Sequence, residues 1–342
     1  MKNSNNPMKI QTTFCFALLL IFTPCLHALE LNEKLRNWTR EDGNTARAKL
    51  VDIVEDKISL EIKGKQHVFQ ISDFIKKDRD YIQGILENLP SGKVEKYTPQ
   101  FHKDENRAFY KKHSMQSLVW RGEDGEELPM LVYQPFSRDL EKLPVIVYLH
   151  GTGGMGTDNT KPFFHCGSGA AKNLLAESFQ KKSPCIVITP QIQKHSGWYS
   201  ASFTDPSDEQ FWLKNAIQCM AQEAKYAVDL DRVYIMGHSM GGHGVYEALA
   251  KLPNFYAAGV AISAVDDGQS LNKDNVDSRL WVFLNKDDKA ESVDVAEAFT
   301  SKYRKLGGKV RTTVYESGGH NAWDEALKDQ KFRSYLFKQR RK

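Results

Sequence analysis

Long apolar runs, metal-ligand spacings and an excess of charge of one sign are all scarce in this chain of 342 residues. The longest unbroken apolar stretch is "FCFALLLIF" (Phe14–Phe22), far short of the about 20 residues that a spanning helix needs. An integral membrane span is therefore not expected. No Cys-x-x-Cys pair and no His-Glu-x-x-His helix is present, so nothing supports a structural or catalytic zinc, and no cofactor or metal is expected. Basic and acidic residues number 47 and 43, for a net charge of +4 that includes Lys2 and Lys9, which argues against a nucleic-acid partner. Cysteine is sparse at five.

The apolar stretch follows the polar, lysine-bearing opening "MKNSNNPMKI" and precedes a small residue, Ala28. That is the pattern of a secretory signal peptide over residues 1–28, and it implies a secreted or periplasmic protein. A lipoprotein would use Cys25, but Pro24 stands where a small residue is wanted. Removal of the leader would leave Cys166, Cys185 and Cys219. An odd set allows at most one disulfide and leaves at least one free thiol. The apolar run "CIVITP" and the helical pattern around Cys219 favour buried, inert thiols.

Residues 30–85 carry short alternating runs, "ARAKLVDIV", "KISLEIK" and "HVFQIS", separated by charged or glycine-bearing turns. Such spacing predicts a small antiparallel β unit. With "RNWTREDG" and "QISDFIKKDRDYI" around them, these runs resemble the Sla homology domain, a small SH3-like barrel. The resemblance implies a binding or spacing role, with a protein or surface as partner. Residues 86–110, including "LPSGKVEKYTPQ", read as a polar linker. Over residues 111–342 the pattern becomes α/β. Apolar strand candidates "PVIVYLH", "CIVITP", "RVYIMG", "AAGVAIS", "LWVFLN" and "VRTTVYE" alternate with helical stretches such as Asp208 to Val228 and Ser292 to Leu306. Strands alternating with helices predict a doubly wound, mostly parallel sheet covered on both faces. "LPMLVYQP" would add an antiparallel edge strand.

Ligands of such sheets sit beyond the C-terminal strand ends. In "RVYIMGHSMGGHGVYEALAKL" a strand runs into "GHSMGG" and then into a helix with Val245, Leu249 and Leu252 on one face. Gly-x-Ser-x-Gly arises by chance in roughly one chain in ten of this length, but the strand, turn and helix around it fit a nucleophile elbow with Ser239 at its tip. Gly237 and Gly241 suit a turn whose close approach to neighbouring chains leaves no room for side chains. A serine hydroxyl needs a base. His320, in "SGGHNAWDEA" before the last helix, follows the strand "VRTTVYE" at the expected place in chain order. His238 and His243 lie nearer in sequence but cannot readily approach the hydroxyl from the required side, so they read as packing or supporting groups. The strand "LWVFLNKDD" ends at Asp287 and Asp288. Chain order favours Asp288 as the acid, with Asp266 and Asp267 as competitors one strand earlier.

The glycine run in "VIVYLHGTGGMGTDN" could supply an oxyanion hole in which the N–H of Thr152 or Gly153 joins that of Met240. Two other readings of the run fail. A dinucleotide site wants a helix opening inside the glycines and an acid closing the next strand, whereas "GTDNTKPF" and "ITPQ" offer neither. A phosphate loop wants Lys and then Ser or Thr after Gly156, where Thr157 and Asp158 stand. Downstream, "KHSGWYSASF" offers Trp198, Tyr199 and Phe203 as aromatic lining, and His238 joins Trp198 and Tyr199 as a candidate substrate contact.

On the stretches "LVYQPF", "PVIVYLHGTGGMGTDN", "DLDRVYIMGHSMGGHGVYEAL", "LWVFLNKDD" and "SGGHNAWDEA", residues from about Met130 to Arg340 resemble α/β-hydrolases of the esterase and predicted-peptidase group. The prolyl-oligopeptidase-like and carbohydrate-esterase branches are the nearest. Asn285 stands where related sequences often carry glycine. The resemblance implies an exported serine esterase acting on a small-molecule or polysaccharide ester, with acetyl or feruloyl groups expected. The competing readings are a prolyl-oligopeptidase-like peptidase and a non-catalytic binding protein on a hydrolase fold.

Overall fold

A computed structural model describes residues 35–341 apart from 55, 87–89, 137–141, 194–196, 199–208 and 224. The signal sequence expected over residues 1–28 lies outside them. Among the described residues no helix is long and apolar enough to cross a membrane.

The chain divides between residues 82 and 83 into two compact units. In the first, strands β1 (Arg36–Thr39), β2 (Thr45–Val54), β3 (Lys57–Ile62) and β4 (Lys65–Gln70) form an antiparallel sheet in that order, followed by the part of helix α1 (Lys76–Leu86) up to Ile82. Alternation sets its inner face, since Ile58 and Leu60 are buried while Lys57 is exposed. Trp38 packs edge-on to Phe74 and Tyr81. The buried Asp78 carboxylate takes the Arg36 guanidinium and, at 2.7 Å, the Thr39 N–H.

The second unit holds a nine-stranded sheet. Its strands are β5 (Lys93–Lys96), β6 (Gln116–Arg121), β7 (Glu127–Tyr133), β8 (Leu143–Leu149), β9 (Ile186–Pro190), β10 (Val228–His238), β11 (Ala258–Ile262), β12 (Arg279–Asn285) and β13 (Val310–Tyr315), ordered β13-β12-β11-β10-β8-β9-β7-β6-β5. Strands β8 to β13 run parallel, and β7, β6 and β5 are added antiparallel. The helices are α2 (Asp104–Lys112), α3 (Lys161–Phe164), α4 (Glu177–Gln180), α5 (Glu209–Gln222), α6 (Met240–Lys251), α7 (Val293–Lys305), α8 (Trp323–Lys328) and α9 (Gln330–Leu336).

Every residue of β8 is buried, because helices cover both faces of the sheet and a strand there meets apolar surface on either side. The two-residue period then sorts its side chains. Val145, Val147 and Leu149 join a core with α5, α6 and α7, while Ile146 and Tyr148 join a second core with α8 and α9. Each such aliphatic side chain contributes roughly 1.5–3 kcal/mol by leaving water. After β8 the chain adds β9 on one side and β10 on the other. The loops leaving β8 and β10 therefore diverge and open a crevice at the point where the strand order reverses.

Three expectations change. The stretch read as a linker, 86–110, contains β5 and the start of α2. Its "KVEK" strand carries a weak apolar pattern and is ordered by pairing with β6, where Val94 faces Trp120 and the Trp120 indole donates to Ser91 O at 2.9 Å. Strand β7, expected at the edge, lies inside the sheet, because β6 pairs along the side away from β9. The helix expected to reach Val228 ends at Gln222, since Val228 already pairs with Leu143 as the start of β10.

Candidate active site

Strand β10 delivers Ser239 to the crevice on a strained turn, with φ 52° and ψ −126°. That φ is costly for a residue with a Cβ, by about 1–3 kcal/mol, and is held by the surroundings. The Ser239 N–H donates to Ile262 O at 2.9 Å. A Cβ on Gly241 would lie 2.2 Å from Leu149 O, so the first turn of α6 rests directly on the end of β8. Neither backbone can yield without moving a central strand. Gly241→Ala is accordingly expected to destabilise the fold by about 3 kcal/mol and to lower Tm by about 6–12 °C in a thermal melt. An unchanged Tm would mean that the elbow is not packed this closely.

His320 Nε2 lies 2.9 Å from Ser239 Oγ, and His320 Nδ1 lies 2.9 Å from Asp288 Oδ2. The Asp288 side chain is fully buried. Its other oxygen accepts the N–H groups of Ala290 and Glu291 at 2.9 and 3.2 Å. An ionised carboxylate only accepts, so the imidazole proton sits on Nδ1 and the bare Nε2 faces the serine hydroxyl. This arrangement can remove a proton from Ser239 and stabilise the imidazolium that results. The competing acids close their own turns instead: Asp266 accepts from Gly268 N and Asp267 from Gln269 N.

The loop carrying His320 is fastened at both ends. Asn285 Nδ2 donates to Gly319 O at 2.8 Å, the Asp287 carboxylate accepts from Gly318 and Gly319 N–H, and Ser263 Oγ accepts from Ala322 N–H at 3.0 Å. These roles are missed in the sequence. Asn285 stood out as a departure from a common glycine, but nothing along the chain reveals what its amide grips.

Opposite lies the loop after β8, where Thr152 opens a short 3-10 turn ending at Gly154. Among the described residues the N–H groups of Thr152, Gly153 and Met240 have no hydrogen-bond partner, as expected for the first donors of a helical turn. Unpaired N–H groups of this kind can donate to a negatively charged oxygen. Gly151 abuts the elbow, with its Cβ position 3.3 Å from Ser239 Cβ. Beyond the loop, Asp158 accepts from Thr160 N, Thr160 Oγ1 and Lys161 N. Burial opposes its charge, yet the bonds from Thr160 and Lys161 prevail and hold its pKa at about 2.

Two expected substrate contacts are placed elsewhere. Trp198 is only 1% exposed, and its indole N–H donates to His150 O at 2.9 Å, so it braces the loop after β8 from within the core. His238 is buried between Tyr148 and Cys166. A two-residue step along β10 from Met236 puts its side chain on the same face of the sheet, in the core. Tyr199 and Phe203 lie outside the described residues. Cys166, Cys185 and Cys219 are all buried free thiols, and burial raises their pKa values to about 11, 12 and 11.

A family model described as "Putative esterase" matches residues 123–331, more than half of the chain. A comparison with the curated proteins finds no match. Among solved structures, a thermostable esterase is 29% identical with a TM-score of 0.57, over 66% of this chain and 63% of that one. The match thus spans less than two thirds of that esterase. A ferulic acid esterase is 18% identical, with a TM-score of 0.49 over 65% of this chain and 96% of that one. An acylaminoacyl peptidase of Pyrococcus horikoshii is 15% identical, with a TM-score of 0.48 over 91% and 51%.

Proposed function

Since the chain belongs to the Esterase family, a group of α/β-hydrolases, we propose that it is a serine esterase working through Ser239, His320 and Asp288. The observation that carries this reading is the line of two 2.9 Å contacts from Ser239 through His320 to Asp288. Ser239 Oγ attacks the ester carbonyl carbon while its proton passes to His320 Nε2. The carbonyl oxygen becomes an oxyanion held by the N–H groups of Met240 and of Thr152 or Gly153. Each such donor is typically worth about 2.7–4 kcal/mol to the transition state. Collapse of the intermediate expels the alcohol, which takes the proton from His320. Water then gives a proton to His320 and attacks the acyl-enzyme, releasing the acid and restoring Ser239.

The substrate class we propose is an acetyl or feruloyl ester of a polysaccharide met after export. The apolar leader "FCFALLLIF" and the sequence resemblance to carbohydrate esterases support it. A comparison of kcat/KM on p-nitrophenyl acetate, methyl ferulate, acetylated xylan and a Gly-Pro anilide tests it. Turnover of the esters with a negligible rate on the anilide is expected. Comparable rates on the anilide would replace the esterase with a peptidase.

A further inference from the structure

Behind the oxyanion loop, three buried side chains that take no part in the steps above form a continuous line. Tyr148 Oη lies 3.0 Å from His238 Nδ1, His238 Nε2 lies 3.3 Å from Cys166 Sγ, and Cys166 Sγ lies 3.4 Å from Gly151 O. All three are at most 5% exposed.

The direction of this line follows from its ends. The Gly151 carbonyl can only accept, and among the described residues the Tyr148 hydroxyl has no hydrogen-bond partner other than His238. If Tyr148 O–H donates to Nδ1, then Nε2–H donates to Sγ and S–H donates to Gly151 O, and every group is satisfied. The reverse order would leave the buried Tyr148 O–H without an acceptor, at a cost of about 1–3 kcal/mol. The line works only while all three groups are neutral. Burial, with smaller contributions from His150 and His320, lowers the His238 pKa to about 3, and burial raises Cys166 to about 11 and Tyr148 well above its ordinary value.

The Gly151 carbonyl also receives His150 Nδ1 at 2.7 Å and Gly154 N–H at 2.9 Å. The Ile192 N–H donated to His150 Nε2 fixes the tautomer that makes the first of these possible. Gly151 O and the Thr152 N–H belong to one planar peptide unit, and in a trans unit they point in opposite directions. Donors that hold the carbonyl toward the core therefore aim the Thr152 N–H outward, toward the cleft.

We infer that Tyr148, His238 and Cys166 form a directed hydrogen-bond relay that positions the Thr152 N–H as an oxyanion donor, with Cys166 the terminal positioning residue. This deepens the serine-esterase reading and rests on it. The relay touches neither substrate nor Ser239 Oγ, so it acts only where negative charge develops on the substrate oxygen.

The test uses the full chain with p-nitrophenyl acetate as substrate and phenylboronic acid as a tetrahedral mimic. Cys166→Ala is expected to lower kcat about tenfold with KM unchanged, a fraction of what losing a whole donor costs. Phenylboronic acid should weaken by a similar factor. Tyr148→Phe should act in the same direction, and the double variant should be no worse than Cys166→Ala, because both cut one line. Cys185→Ala, an equally buried thiol outside the relay, should leave kcat unchanged. Unchanged boronate affinity in Cys166→Ala and Tyr148→Phe, or purely additive losses, would overturn the relay while the wild type still turned over ester through Ser239. A wild type that neither hydrolyses the ester nor binds the boronate would instead remove the esterase reading, and the relay with it.

Discussion

Ser239→Ala is expected to lower kcat on p-nitrophenyl acetate by about 10⁶ and to leave the fold intact. The size of the loss follows from the arrangement. Without Oγ, His320 has no hydroxyl to activate, and only the oxyanion donors and binding remain to accelerate attack by water. Alanine inherits the strained φ of 52° and fits the same elbow, so no large change in Tm is expected. Loss of activity with a preserved melting curve separates chemistry from folding. A variant retaining more than about a tenth of wild-type kcat would show that another residue carries the nucleophile.

Asp288→Asn is expected to cost about 10⁴ in kcat with little change in KM. The position of the acid explains why so small a change does so much. Asp288 Oδ1 already accepts the N–H groups of Ala290 and Glu291. An asparagine must keep its carbonyl oxygen there, which turns its amide NH₂ toward His320 Nδ1. The imidazole then places its proton on Nε2, facing a serine hydroxyl that it can no longer deprotonate. Asp287→Asn serves as the comparison, because Asp287 takes the Gly318 N–H on Oδ2 and the Gly319 N–H on Oδ1, so an amide loses one loop bond but leaves the Asp288–His320 contact in place. A larger effect at Asp287 than at Asp288 would reverse the assignment.

Much of this site was legible because strand ends are legible. Buried parallel strands such as "VIVYLH" and "RVYIMG" are near-continuous apolar runs, so their C-terminal ends can be read directly, and the crevice residues follow in chain order. The elbow, His320 and the choice of Asp288 over Asp266 rest on that logic, and the structure brings these three side chains together. What escaped lies where tertiary packing overrides local pattern. The "KVEK" segment has no strong period of its own and becomes a strand by pairing with β6. Trp198, after the "CIVITP" strand, and His238, inside "GHSMGG", read as candidate substrate contacts, yet packing buries both behind the loop after β8. The grips of Asn285, Asp287 and Ser263 on the His320 loop join residues far apart in sequence, and only folding reveals them.

Phosphorylation of the intact protein by diisopropyl fluorophosphate, with loss of fluoride, followed by peptide mass mapping, tests the central claim most directly. A single adduct on Ser239, formed in the wild type, absent from Ser239→Ala and strongly slowed in Asp288→Asn, is the result expected. An adduct on a different residue, or labelling that proceeds equally in Ser239→Ala, would contradict it.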